Sequence, residues 1–482
     1  MRKKFAVNLL ILLVANLLVK PYWIFGVDRV VQNKVGPEVY GTYFAVFNFS
    51  YLFSIVLDFG INNFNNRAVS RNNSRMGEYL LNLMLLKGAL SVIYFAITFL
   101  TALATGFSEE HMLLLFVLAV NQILLSAILY FRSNIAALQF FKTDSFISVL
   151  DRLLTIIFCS LLMFLPAFKN SFNIFWFAYA QTAALLVTGI VSFAVVARHA
   201  TITTGIWKWK FRKLILLKSA PFAMLALLMG IYYRIDGVML ERLLPNGALE
   251  AGIYAASYRL LEAVNMFGYL FATLLLPMFA GMIRKNESIK PLVKFSAELM
   301  FAGSVIISVV CFVYCEEIMQ LLYPASAPYW HSIFGWLMLN FIPMSSVYVF
   351  GTLLTAHGSL RALNTIAIVS VLVNVVLNLL LIPRYAAMGA VTATLVTQTT
   401  ATIAHVLVAQ RKFDLRCSIN DLLRLAGFVF VSAGIAYGVH KLPVNRMVSF
   451  VFTCAALSAV AFTLKFIPLK ELAGVLRSKT PA

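Results

Sequence analysis

Arg234-Ile235-Asp236-Gly237-Val238-Met239-Leu240 is followed, after a short segment carrying Pro245, by Gly252-Ile253-Tyr254-Ala255-Ala256-Ser257-Tyr258-Arg259-Leu260-Leu261-Glu262. The same order stands near the N-terminus: Val27-Asp28-Arg29-Val30, then Pro37, then Gly41-Thr42-Tyr43-Phe44-Ala45. In each copy an aspartate near the end of an apolar run precedes a proline-bearing connection, and the next run opens on Gly-x-Tyr. The copies fall at the joints of the first and second and of the seventh and eighth apolar runs. Runs one and seven would then cross a membrane in the same direction, as a parallel repeat about the membrane normal. Carriers are built that way.

Composition supports the membrane reading. Of 482 residues, 61% are hydrophobic and 12% charged, and the mean hydropathy is +0.87. Too few polar residues remain to cover a water-soluble surface. A soluble enzyme, a nucleic-acid module and a protein with a single anchor are excluded. We therefore expect an all-α polytopic membrane protein of about 14 transmembrane helices, each about 20 residues long.

The spans are placed at 5–27, 39–62, 80–105, 111–131, 146–168, 172–197, 219–240, 250–283, 293–314, 330–356, 363–383, 388–410, 422–441 and 447–466. They are numbered 1 to 14 below. The run after Met-Arg-Lys-Lys resembles a signal peptide, but no small-x-small cleavage site follows it, so it is read as a retained span. The expected organisation is two six-helix bundles related by a pseudo-two-fold axis, 1–205 and 206–415. Residues 416–482 add spans 13 and 14 and a tail. Gly434 and Gly438 in span 13 are read as small residues that let the added pair pack closely.

Lysine and arginine set the orientation. With the N-terminus inside, 26 of them fall in the inner segments and 7 in the outer loops, a strong positive-inside bias. Both termini are expected in the cytosol, and the net charge of +20 is read as a topology signal. The basic linker at 198–218 includes Gly205-Ile206-Trp207-Lys208-Trp209-Lys210-Phe211-Arg212-Lys213. Lying between two spans, it is expected to rest on anionic lipid headgroups and not on nucleic acid. Cys159, Cys311, Cys315, Cys417 and Cys454 form no Cys-x-x-Cys pair, and the histidines are scattered. Neither a metal site nor a cofactor is expected, apart from a coupling proton or sodium ion.

Charges inside the spans carry the functional reading. A charge at the bilayer centre costs at least about 2.5–3.5 kcal/mol, so each needs water, a partner or a task. Asp58, Lys87, Asp151, Arg152 and Glu298 lie within about two turns of the inner ends and are read first as snorkelling structural charges. Asp58 has a further reading: Tyr43, Phe47, Tyr51, Ser54 and Asp58 share one face of span 2, as expected of a helix lining a wet cavity. Lys20, Arg234 and Arg259 lie deeper, in spans 1, 7 and 8, and are the candidate substrate-binding cations. Asn16 lies one turn before Lys20, and Pro21 should bend the helix there. Arg259 and Glu262 at i,i+3 can neutralise each other, whereas Asp236 is too close in sequence to Arg234 to face it. Asn16, Asp58, Asp236 and Glu262 complete the set as cavity or coupling candidates. Three deep cations suit an anionic solute, above all a phosphate. Ion pairs closing an outer gate are the competing reading.

Three segments carry a family resemblance. They are Asp58-Phe59-Gly60-Ile61-Asn62 with Arg67 and Arg71, the 234–262 stretch quoted above, and Asn374-Val375-Val376-Leu377-Asn378-Leu379-Leu380-Leu381-Ile382-Pro383-Arg384-Tyr385 with Gly389-Ala390. The chain resembles the O-antigen (Wzx-type) and polysaccharide-transport branch of the MOP flippase superfamily. That resemblance implies two MATE-like bundles set in a V, with spans 1, 2, 7 and 8 lining a cationic cavity. It implies an oligosaccharide on undecaprenyl pyrophosphate as substrate, moved across the bacterial cytoplasmic (inner) membrane by alternating access. The implied partners are this lipid-linked glycan, membrane lipids and other glycan-assembly membrane proteins. Two other functions compete: an ion-coupled exporter of small molecules, and a glycan polymerase or ligase. An exporter of cationic drugs would call for acidic cavity residues. A polymerase needs catalytic groups on the outer face, where Glu109, Glu110, His111, Glu316 and Glu317 form no defensible acid/base pair.

Overall fold

The computed structural model describes residues 18–71, 76–169, 171–200, 209–415, 418–464 and 466. Eleven of its helices are long and apolar enough to cross a membrane. One of them, Leu360–Phe413, is two arms joined at Ala386 (φ 50°, ψ −132°), three residues after Pro383. Counting both arms, and adding the interrupted helices of spans 1 and 2, gives the expected fourteen. Span 8 is the long helix Gly247–Arg284. Short loops are held by side-chain caps on backbone N–H groups: Ser108 before span 4, Asn173 before span 6, Ser418 before span 13 and Asn445 before span 14. By packing, the chain divides into two compact units, 1–256 and 257–482. Span 7 and the first residues of span 8 belong to the first.

In the first unit, span 6 packs along spans 4 and 5, and span 7 packs along span 2. Span 1 runs further than its hydropathy suggests. A π-helical turn, Trp23–Asp28, passes into the α-helix Arg29–Val35, so Arg29 and Lys34 lie on the helix and not in a loop. The widened turn follows Pro21, whose ring cannot fit a regular ladder.

Span 2 corrects the expectation of one continuous face. Its α-helix, Pro37–Leu52, gives way to a 3₁₀ turn at Ser54–Leu57 and restarts at Ile61–Arg71. Phe59 (φ 44°) and Gly60 (φ 78°) turn the chain between them. Asp58 therefore does not continue the Tyr43–Phe47–Tyr51 face. A break within a membrane frees backbone carbonyls that need donors. Here Lys87 Nζ and Ser126 Oγ both donate to the Leu57 carbonyl, at 2.8 and 3.1 Å. Lys87 also pairs with Asp58 Oδ1 at 3.4 Å, and that carboxylate accepts the Asn62 N–H. Lys87→Met would strip this joint of its cation. Breaking such a buried pair should cost about 3 kcal/mol, read as a lower melting temperature of the detergent-solubilised chain. An unchanged melting temperature would mean that the joint stands without it.

Two glycines define a close crossing in the same unit. A side-chain carbon at Gly41 would lie 1.8 Å from the Ala248 carbonyl oxygen, and one at Gly252 would lie 1.8 Å from that of Pro37. These are the two glycines of the repeated Gly-x-Tyr pattern. The first turns of spans 2 and 8 cross glycine on glycine.

In the second unit, spans 13 and 14 pack on span 9 through a core that includes Val305, Tyr314, Phe428, Ala436 and Leu457. The Tyr314 hydroxyl bonds Ser449 and Thr453 at 2.6 and 2.9 Å. The packing face of span 13 carries Phe428, Ser432, Ala436 and Val439. Gly434 and Gly438 lie elsewhere, with nothing within 4 Å of an added Cβ. Their expected part in packing the added pair is not what the fold uses.

Candidate anion-binding site

Span 7 approaches span 2 closely because Gly237 lacks a side chain: a Cβ there would meet Asn48 and the Phe44 ring at 2.6 Å. Gly230, Arg234 and Gly237 recur at helical spacing and so share a face. Arg234 is thereby laid on span 2. Its Nη1 donates to Asn48 Oδ1 at 3.3 Å, and its guanidinium carbon lies 5.1 Å from the Tyr51 ring centre and 5.7 Å from that of Phe47. Arginine over aromatic faces is electrostatically attracted to them and keeps its planar donor fork. Asn48 escaped the sequence reading, although Phe47 and Tyr51 of the same face had been picked out.

An aromatic ribbon leads from Arg234 to a second cationic centre. Phe47 stacks on Tyr43, with ring centres 6.1 Å apart, and Tyr43 meets Phe177 of span 6 edge-on at 5.2 Å. Phe177 lies parallel to Trp23 at 5.8 Å, and Arg152 of span 5 sits 5.4 Å from the Trp23 ring centre. Lys20, half-buried on span 1, feels the charges of Arg152, Asp151 and Arg132. Lys20 and Arg234 thus lie in one unit, each beside an arginine–aromatic contact. Asn16 lies outside the described residues, as do the side chains of the 205–213 segment.

The remaining candidates have different surroundings. Arg259 Nη1 donates to Glu262 Oε2 at 2.7 Å, so this cation has the local partner its spacing allowed. Asp236, only 5% exposed, accepts from the Tyr254 hydroxyl at 3.0 Å. Asp28, its counterpart in the repeat, accepts from Tyr40 at 2.8 Å and from Gln32 at 3.1 Å. Both aspartates thus take a tyrosine from the following helix, but the first copy uses Tyr40 and not Tyr43. Tyr43 instead accepts from Gln181. Glu298 pairs with Arg424 of span 13 at 3.1 Å. Among the loop groups expected on the outer face, Glu317 binds His440 and Arg446, and His111 lies 3.4 Å from Glu241. These contacts tie helix ends together.

The fold is that of MOP-superfamily flippases and transporters. An inward-closed structure of the lipid II flippase MurJ superposes with a TM-score of 0.73, covering 96% of this chain and 100% of that one at 13% identity. An inward-facing multidrug resistance MATE family transporter gives 0.63, covering 84% and 94% at 14% identity. A MOP superfamily transporter from Pyrococcus furiosus gives 0.58, covering 84% and 95% at 15% identity. No curated protein sequence matches the chain. The family model for polysaccharide biosynthesis proteins matches residues 5–283, more than half of the sequence. The chain belongs to the polysaccharide biosynthesis protein family and is a multi-pass membrane protein.

Proposed function

We propose that this protein is a flippase that carries an oligosaccharide linked to polyprenyl pyrophosphate across the bacterial cytoplasmic membrane, from the cytosolic to the outer leaflet. Family membership supplies the polysaccharide context, and the fold supplies a carrier frame. The observation that carries the reading is Arg234, set well inside span 7 and oriented by Asn48, Phe47 and Tyr51. A pyrophosphate cannot pass a low-dielectric region without counter-charge. An arginine braced on aromatic faces offers that charge in a fixed geometry. The positive-inside bias supports cytosolic termini.

A small-molecule exporter is the second reading, since MATE transporters share the fold. Deleting the gene separates the two. The flippase reading expects loss of surface glycan, accumulation of the lipid-linked precursor and unchanged drug sensitivity. Normal glycan with raised drug sensitivity would overturn it. A polymerase would instead leave single repeat units on the outer surface.

A further inference from the structure

Arg152 was read from sequence as a charge that snorkels to the inner surface. In the structure its guanidinium lies against Trp23 of span 1, midway along the helix Phe141–Phe164. Its nearest carboxylate is Asp151, Nε to Oδ2 at 3.7 Å, and 37% of the side chain stays exposed. Arg132, the other cation nearby, is already matched by Asp144 through two bonds at 2.7 and 3.3 Å. Among the described residues, Lys20 makes no hydrogen bond or ion pair. Among the described residues, Asp151 is the carboxylate beside both Lys20 and Arg152, so one positive charge there is in surplus. Such a surplus inside a membrane is costly until an anion joins it. Trp23 contacts both Arg152 and Phe177, and an arginine held against an aromatic ring keeps further N–H donors for an anion. The π-helical turn begins at Trp23, and such turns are frequent at functional sites.

We propose that Lys20 and Arg152 form a second anion-binding centre, separate from Arg234, that takes the pyrophosphate of the lipid-linked substrate. This rests on the flippase reading and deepens it. Lys20 lies fifteen residues before the end of span 1 at Val35, and Arg234 nine before the end of span 7 at Leu243. At 1.5 Å per residue the two centres differ by roughly 9 Å in distance from the ends of their helices. The aromatic ribbon joins them. The headgroup thus has two stations at different depths along one wall of the first unit, with Trp23 as a positioning residue for the deeper one.

Binding of undecaprenyl pyrophosphate to the detergent-solubilised full chain tests this. Undecaprenyl monophosphate, inorganic pyrophosphate and phosphatidylglycerol serve as comparison ligands. Arg152→Gln should weaken the diphosphate lipid by about ten-fold or more, with the melting temperature unchanged. Arg152→Lys should fall between, and Trp23→Phe should bind better than Trp23→Leu. If Arg152→Gln fails to fold, Arg152→Lys and the Trp23 pair carry the test. Wild-type affinity in folded Arg152→Gln, with Arg234→Ala weakened, overturns this centre and leaves the flippase reading standing. An equal loss for phosphatidylglycerol makes it an ordinary lipid contact and also overturns it. Loss for inorganic pyrophosphate alone would mean a free-anion site and overturns it too. A wild-type chain that binds no polyprenyl phosphate refutes the flippase reading itself.

Discussion

Alanine at Gly41 should abolish glycan export, and alanine at Gly252 should do the same. Each new methyl would sit 1.8 Å from a backbone carbonyl oxygen of the other helix, far inside van der Waals contact, and a backbone atom cannot swing away as a side chain can. The first turns of spans 2 and 8 would have to separate, which would disturb the Asp28–Tyr40 and Asp236–Tyr254 bonds beside them. Overpacking typically costs about 1–3 kcal/mol even where neighbours relax. A clash with backbone belongs at or above the top of that range. Gly88→Ala is the internal control. Nothing lies within 4 Å of its added Cβ, and alanine in a helix is favoured over glycine by about 0.5–1 kcal/mol. Surface glycan and membrane abundance, measured for all three variants in a deletion strain, check the contrast. Normal export by Gly41→Ala would mean that the two helices do not need this close crossing.

Arg234→Ala should leave almost no export at normal protein abundance, while Arg234→Lys should keep some. Loss of a charge-assisted contact of about 1.5–3 kcal/mol corresponds to a 10- to 150-fold weaker hold on the headgroup. Lysine keeps the charge and can still reach Asn48 Oδ1, but it has no plane to lie on Phe47 and Tyr51 and no paired donors for two phosphate oxygens. The alanine variant also leaves Asn48 without this donor, so the melting temperature should be measured alongside. An abundant alanine variant with full glycan would make Arg234 a packing charge.

Legibility in the sequence followed the physics of each feature. Helices 76–104, 109–137 and 174–197 were readable because apolar length fixes a span. The repeat was readable because the same aspartate, proline and Gly-x-Tyr recur. The interruptions in spans 1 and 2 were not. Hydropathy is blind to a π turn at Trp23–Asp28 or to a chain turn at Phe59-Gly60, and only Pro21 hinted at the first. Lys87 was taken for a snorkelling charge because its acceptor, the Leu57 carbonyl, exists only once span 2 breaks. The local pair Arg259–Glu262 could be read from spacing alone. Arg152 on Trp23 and Arg234 on Phe47 and Tyr51 are contacts between helices distant in sequence. A single sequence gives no register between such helices, so the cations could be found without their supports.

Reconstitution tests the central claim most directly. Purified protein is placed in vesicles carrying a polyprenyl-pyrophosphate-linked oligosaccharide, and the fraction of glycan open to an enzyme added outside is followed over time. Wild-type vesicles should expose the inner-leaflet pool, while protein-free and Arg234→Ala vesicles should keep it protected. An inner pool that stays protected in wild-type vesicles, with the protein folded and inserted, would contradict the flippase assignment.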